Sequence, residues 1–183
     1  MRPSRPCRAL IPFALLVLAA VSASADPPEL KRSAKGMNYS IRIPDGHAKG
    51  RTTLIVALHG SGDTCENFMR WLTDGASTLP KDAILLAPQA LKDGAWAQPD
   101  IEPLGALVRE IQAEHAPPRT LGIGFSRGAY FVFALAIAAP ELLQGAIPHS
   151  GGLPMAVPGN GALDKVPFYI IHGDADKVVP VAE

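Results

Sequence analysis

The chain alternates between short apolar runs and longer segments whose apolar residues recur at helical spacing. Alternating apolar and polar residues over Met37–Ile43 predict a half-buried strand near an edge of a sheet. Runs that are apolar throughout predict strands that are covered on both faces. The remaining predicted strands are Thr53–Leu58, Ala83–Ala87, Thr120–Phe125, Gly145–His149 and Val166–His172.

Helices are predicted between these strands. Glu66–Leu79 has apolar residues at helical spacing, with Gly75 as a break, and Glu102–His115 places its apolar residues on one face. Gly128–Ala139 is apolar all round, which indicates a buried helix. Strands and helices in this alternation predict an α/β fold, with a mostly parallel sheet and helices on both of its faces.

Polar and glycine-rich residues follow nearly every predicted strand. In parallel sheets, functional sites form at the carboxyl ends of the strands. The segments at these ends are His59–Asp63, Pro88–Gln89, Ser126, His149–Gly152 and His172–Asp176. We therefore expect a site along this edge of the sheet.

The pentapeptide Gly124-Phe125-Ser126-Arg127-Gly128 joins a predicted strand to a predicted helix. A serine between two glycines at such a junction is typical of a nucleophile elbow. The glycines let strand and helix approach closely around a strained serine. Ser126 is therefore the predicted nucleophile, and the alternative is a serine that caps the helix N-terminus.

The segment His59–Asp63 follows a buried predicted strand. Its glycines, Gly60 and Gly62, would let the loop backbone come close to a reacting atom. We interpret His59 as a residue that pins this loop by hydrogen bonding, in preference to a general base. The alternative for the whole segment is an ordinary turn between a strand and a helix.

Acyl transfer through a serine needs backbone N–H groups that point at the developing oxyanion. One donor is expected from the residue after the nucleophile, which is Arg127. The other is expected from the first glycine-rich loop, and we assign it to the amide of Ser61.

A serine nucleophile also needs a histidine, which a carboxylate must orient. Asp176 is the predicted carboxylate and Asp174 is the second choice, because both follow the last predicted strand. A metal site formed by these two residues and His172 is the alternative interpretation of this segment. Ligands in such a short run match no standard site, so no metal is expected.

Three motifs occur in this order: His-Gly-Ser-Gly-Asp, Gly-Phe-Ser-Arg-Gly and His-Gly-Asp-Ala-Asp-Lys-Val-Val-Pro. Together they resemble the α/β-hydrolase fold, and within it the phospholipase/carboxylesterase branch with its dienelactone-hydrolase-like, feruloyl and polyhydroxybutyrate esterase relatives. The resemblance covers about Asn38–Glu183. It implies a serine esterase of small-molecule esters without a cofactor, with Ser126 as nucleophile, Asp176 as acid, and Ser61 and Arg127 at the oxyanion hole. Arg127 stands where glutamine is common in the branch.

The resemblance also implies a histidine after the acid, on a loop that follows one further strand. No histidine follows Asp176. We therefore expect a chain truncated at its C-terminus, without the last strand and helix of the fold. His149 is the alternative base. There are two alternative functions. The chain is a non-catalytic or degenerate protein of this fold, or it is a peptidase of the same fold.

The first eight residues include Arg2, Arg5 and Arg8. The apolar run Ala9–Val21 follows, and the small residues Ala23–Ala25 come after it. This layout predicts a secretory signal peptide over residues 1–25 and therefore a periplasmic or extracellular location. The alternative is a membrane anchor, but the apolar run is shorter than the about 20 residues that span a bilayer. Residues 26–36 are predicted as a flexible lead-in, and residues 37–183 as the hydrolase domain.

The amino-acid composition bears on which classes of molecule the protein could bind. The 17 basic residues balance the 17 acidic ones and form no cluster, so no nucleic-acid partner is expected. Cys7 leaves with the signal peptide, and Cys65 is then alone and is interpreted as an ordinary, half-buried or buried thiol. His47 and His115 lie in or beside predicted loops and are expected to be solvated.

Overall fold

The strands and helices follow the predicted alternation. A computed structural model describes residues 30–74, 77–92, 94–153 and 162–180. The strands are β1 (Leu30–Arg32), β2 (Asn38–Arg42), β3 (Leu54–Leu58), β4 (Ile84–Pro88), β5 (Thr120–Phe125) and β6 (Gly145–His149). The α-helices are α1 (Cys65–Thr73), α2 (Ile101–His115) and α3 (Arg127–Ala138), and short 3₁₀ turns lie at Gln98–Asp100, Pro140–Leu142 and Ala162–Lys165.

The strands form one mixed sheet in the order β1-β2-β4-β3-β5-β6. β3 pairs in parallel with β4 and β5, and β5 pairs in parallel with β6, whereas β1 and β2 are antiparallel. The pairs Leu58↔Gly124 and Phe125↔His149 align the carboxyl ends of three neighbouring strands. The prediction of a mostly parallel α/β sheet is confirmed.

Helices cover both faces of the sheet, as the apolar runs predicted. On one face, Leu54, Val56 and Leu58 of β3 pack into a cluster with residues of α2 and α3. On the other face, Ile55 and Ala57 pack with residues of α1. Because successive strand residues point to opposite faces, a run without polar residues fills both clusters. Each buried aliphatic side chain of this kind contributes about 1.5–3 kcal/mol.

The α1 face is less well covered beyond β3. Phe125 is 42% exposed, and its pairing partner His149 is bridged to Ile171, which is 40% exposed. Tyr169, two residues earlier, is 71% exposed. Paired residues share a side of a sheet, so these apolar side chains form one exposed strip along this edge of the described sheet.

The strand predicted over Val166–His172 is replaced by two isolated parallel bridges, Ala146↔Phe168 and His149↔Ile171. Ala146 makes both of its ladder bonds, to the carbonyl of Pro167 and from the amide of Tyr169. The next donor along β6 would be Pro148, which has no N–H. The ladder is therefore interrupted between the bridges, and the continuous strand was wrongly predicted.

The structure also differs from the sequence predictions for the N-terminal lead-in, the end of the first helix and His115. The lead-in predicted as flexible over residues 26–36 contains the short strand β1, which pairs with β2. The first helix ends at Thr73 and not at Leu79, because Asp74 caps it with an extended ψ of 145°. His115 was wrongly predicted to be solvated: it is 6% exposed and its ring contacts that of His47.

The predicted signal peptide, residues 1–25, lies outside the described residues. Within the ranges that are described, no helix combines the length and apolar character that a bilayer crossing requires.

Candidate active site

Ser126 occupies the sharp junction between β5 and α3. Its backbone angles are φ 52° and ψ −118°, a combination that residues with a side chain rarely adopt. The strain is held in place because the Ser126 amide donates to the carbonyl of His149 and its own carbonyl accepts from Ala129, both at 2.9 Å. The Ser126 side chain makes no capping hydrogen bond to α3. The hydroxyl is therefore not used as a helix cap, and the geometry is that of a nucleophile elbow.

The two glycines of the elbow are required by close backbone contacts. A Cβ atom at Gly124 would collide with the carbonyl of Gly128, and one at Gly128 would collide with the carbonyl of Leu58 at the end of β3. A third glycine, Gly151, was not singled out from the sequence. A Cβ there would lie 2.6 Å from the carbonyl oxygen of Ser126. The Gly-Gly pair after β6 was the only sequence signal for this contact.

His59 is fully buried at the end of β3. Its Nδ1 lies 2.7 Å from the carbonyl oxygen of Gly60, and its Nε2 lies 3.3 Å from the amide of Ala90. The neutral ring with its proton on Nδ1 satisfies both contacts, since it then donates to one and accepts from the other. Burial lowers the pKa of His59 below its usual value, which keeps the ring neutral. These contacts fit a residue that pins the loop.

The loop that carries Ser61 touches the elbow directly. β3 and β5 are neighbours in the sheet, and a Cβ at Gly60 would lie 3.3 Å from the ring of Phe125. The Gly62 amide donates to the carbonyl of Gly94 at 3.0 Å, which ties the loop to the segment after β4. Ser61 and Arg127 are both exposed. Arg127 is the first residue of α3, where backbone amides have no acceptor within the helix.

Trp96 lies in the segment between β4 and α2, and its side chain is fully buried. The indole Nε1 donates to the carbonyl of His59 at 2.9 Å. The carbonyl of Trp96 accepts from the Arg127 side chain at 3.3 Å. The residue pattern does not predict these contacts, because a tryptophan in a Gly- and Pro-rich loop is as compatible with a pocket wall as with a buried side chain that holds neighbouring segments together.

Asp176 is held by the turn that follows the second bridge to β6. Its Oδ1 accepts from the amides of Val178 and Val179, at 2.8 and 3.0 Å. These two hydrogen bonds, with a smaller contribution from the nearby charge of His172, hold the pKa of Asp176 below its usual value. Its other oxygen, Oδ2, lies 3.7 Å from Nε2 of His172, which itself donates to the carbonyl of Val179 at 2.7 Å. Asp176 is therefore an ionised, oriented carboxylate.

The remaining residues considered from the sequence lie near this end of the sheet. Asp174 is exposed on the same turn as Asp176. The ring of His149 stacks on the ring of Phe125, with centroids 5.4 Å apart. Across the described residues, no group of three or more potential ligands is arranged to hold a metal ion.

Comparison with known proteins agrees with this architecture. Residues 82–183 match the sequence profile of a family described as phospholipase/carboxylesterase. No curated protein matches the chain.

Solved structures share the fold at low sequence identity. A thermostable esterase superposes with a TM-score of 0.68 at 20% identity, over 85% of this chain and 48% of that protein. The esterase PE8 gives a TM-score of 0.57 at 23% identity, over 80% and 79% of the two chains. A serine hydrolase without a lid from Xanthomonas campestris gives a TM-score of 0.57 at 16% identity, over 85% of this chain and 74% of that protein. The chain thus spans about half the length of the thermostable esterase.

Proposed function

Because this chain belongs to the phospholipase/carboxylesterase family of α/β hydrolases, we propose that it is an exported serine hydrolase that cleaves carboxylic esters through an acyl-enzyme on Ser126. The observation that carries this proposal is the backbone of Ser126, at φ 52° and ψ −118° between β5 and α3, with a hydroxyl that does not cap the helix. Such strain is maintained where a nucleophile must stand clear of its own backbone.

The proposed reaction begins with attack of Ser126 Oγ on the ester carbonyl. The amides of Ser61 and Arg127 stabilise the oxyanion of the tetrahedral intermediate, which collapses to release the alcohol and leave the acyl-enzyme. Water then attacks the acyl-enzyme in the same way and releases the acid. Both donors are backbone groups, so arginine at position 127 supplies the same amide that glutamine supplies in the branch.

Each attack requires a histidine to accept a proton, and Asp176 is the carboxylate that orients its imidazolium form. The lowered pKa of Asp176 favours this role, because an acid that stays ionised stabilises a positively charged neighbour. In the printed sequence no histidine follows Asp176, and His149 is the alternative proton acceptor.

The test is hydrolysis of p-nitrophenyl acetate by the purified chain and by Ser126→Ala. We expect the substitution to reduce kcat by about 10³-fold or more, because it removes the nucleophile. Ser77→Ala, after α1 and remote from the elbow, is the matched control and should keep wild-type activity. Equal activities of wild type and Ser126→Ala would overturn the proposal. Parallel assays on a peptide p-nitroanilide would separate esterase from peptidase.

The alternative function is a non-catalytic or degenerate protein of the same fold. Wild-type protein that is folded by circular dichroism and shows no ester hydrolysis would support this function. Activity that is lost in His149→Ala as well as in Ser126→Ala would instead identify His149 as the base.

Export is a separate part of the proposal, and it is supported by the charged, apolar and small-residue order of residues 1–25. Expression in a bacterial host with and without these residues tests it. The full chain should appear in the periplasmic fraction as a product shortened by its leader, whereas a cytoplasmic, uncleaved product would contradict export.

A further inference from the structure

Trp96 touches both halves of the oxyanion hole without reaching the reacting atoms. Through Nε1 its side chain holds the carbonyl of His59, at the start of the loop that carries Ser61. Through its carbonyl it holds the side chain of Arg127, the residue directly after the nucleophile. The two oxyanion donors thus belong to separate segments, and each of these segments is hydrogen-bonded to Trp96.

The indole ring is itself fixed by its surroundings. It is fully buried, stacks on the ring of Phe131 with centroids 5.3 Å apart, and lies 5.0 Å from the ring of His59. Phe131 belongs to α3, the helix that begins at the elbow. The ring therefore has little freedom to rotate, and a rigid donor can set the position of its acceptor.

We propose that Trp96 is a positioning residue that fixes the Ser61 amide and the Arg127 amide relative to each other. The proposal rests on the function proposed above. Its physical basis is that oxyanion donors act only within about 2.7–3.1 Å of the oxygen, so a shift of a few tenths of an ångström in either segment weakens one of the two bonds. Loss of a whole donor costs about 10²–10³-fold in kcat.

The first experiment compares Trp96→Phe with Trp71→Phe. Trp96→Phe keeps an aromatic ring but removes the N–H that holds His59. Trp71→Phe makes the same chemical change on α1 at a side chain that is 63% exposed. We expect Trp96→Phe to lower kcat on p-nitrophenyl acetate about tenfold, less than the loss of a whole donor, with KM changed less than about twofold. Trp71→Phe should match wild type in both constants.

This split between kcat and KM separates positioning from mere structural support. A general loosening of the fold would lower the melting temperature and the fraction of active protein, which active-site titration with a phosphonate reports. Equal kcat values per titrated site in Trp96→Phe and Trp71→Phe would overturn the proposal.

The second experiment tests the link to the elbow without turnover. Arg127→Gln places a side-chain N–H the same number of bonds from Cα as Nε of arginine, whereas Arg127→Met removes the donor. We expect exchange of the Trp96 indole proton, followed by NMR, to be about tenfold faster in Arg127→Met than in wild type and restored in Arg127→Gln. Arg109→Met, on α2, is the control and should leave the exchange rate of the Trp96 indole proton unchanged.

The outcomes distinguish this inference from the proposed function. If wild type hydrolyses the ester but neither Trp96→Phe nor Arg127→Met has its expected effect, the inference alone is overturned. If wild type hydrolyses no ester, the proposed function is overturned together with the catalytic role of Trp96, and the exchange rates then decide whether the two segments are coupled.

Discussion

Single atoms decide whether the elbow can form. The carbonyls of Leu58 and Gly128 occupy the space that side chains at positions 128 and 124 would need. Both oxygens belong to the backbone, so neither can yield as the end of a flexible side chain would. The glycines were predictable because the elbow is a local motif, whereas the contact of Gly151 with Ser126 depends on a strand that arrives later in the chain.

We expect Gly128→Ala to destabilise the fold by about 3 kcal/mol, at the upper end of overpacking costs, because the added methyl meets backbone and not a flexible side chain. Urea unfolding followed by circular dichroism measures this change. The control is Gly46→Ala, where an added Cβ has no neighbour within 4 Å. A Gly128→Ala variant as stable as Gly46→Ala would contradict the account of the elbow.

Cys65 is a second residue whose behaviour follows from its surroundings. It is fully buried, and burial together with a hydrogen bond to Glu66 raises the pKa of its thiol to about 12. Only the thiolate reacts with Ellman's reagent. The experiment uses protein without Cys7. We expect the folded protein not to react with the reagent at pH 8, and Cys65 to react rapidly with one equivalent of reagent in denaturant. Rapid labelling of the folded chain would contradict this environment.

Among the elements, β3, β5 and α3 were predicted well because their apolar patterns are local and unambiguous. The segment 166–172 has an equally apolar pattern, but its hydrogen bonds depend on Pro148 in another strand. Strand β1, with the sequence Leu-Lys-Arg, has no alternation to recognise and exists because β2 offers it an edge. The contacts of Trp96 likewise depend on His59, directly after β3, and on Arg127 of α3, so sequence spacing could not reveal them.

Helix α2 ends in a buried histidine, and this makes its stability depend on pH. Burial lowers the pKa of His115 below 6.5, and the nearby His47, Lys49 and Lys31 act in the same direction, against Glu114. Below pH 6.5 the unfolded chain therefore binds a proton that the folded chain resists, so stability falls as pH falls. We expect a smaller loss of stability between pH 6.5 and 5 in His115→Gln than in wild type, measured by urea unfolding. Equal losses would contradict this assignment.

The molecule as a whole leaves apolar surface exposed on one side of its sheet. Phe125, Tyr169 and Ile171 form the exposed strip described above, and exposed apolar side chains on one side of a sheet bind hydrophobic dyes. We expect the double variant Tyr169→Thr, Ile171→Thr to reduce the fluorescence of bound ANS by about half. Leu30→Thr, at the opposite edge and 51% exposed, is the control. Unchanged fluorescence in the double variant would show that the dye binds elsewhere.

The missing N–H of Pro148 has a consequence for how the molecule responds to heat. The segment that leads to Asp176 is joined to β6 by two isolated bridges, so its local opening breaks fewer hydrogen bonds than unfolding of the central strands. Asp176 would then detach while Ser126 is still held in its elbow. The proposed ester hydrolysis should therefore disappear reversibly at temperatures several degrees below the main melting transition, and coinciding midpoints of activity and circular dichroism would contradict this. The working temperature of the proposed enzyme would then be set by how firmly one short segment is bound to the sheet and not by the stability of the core.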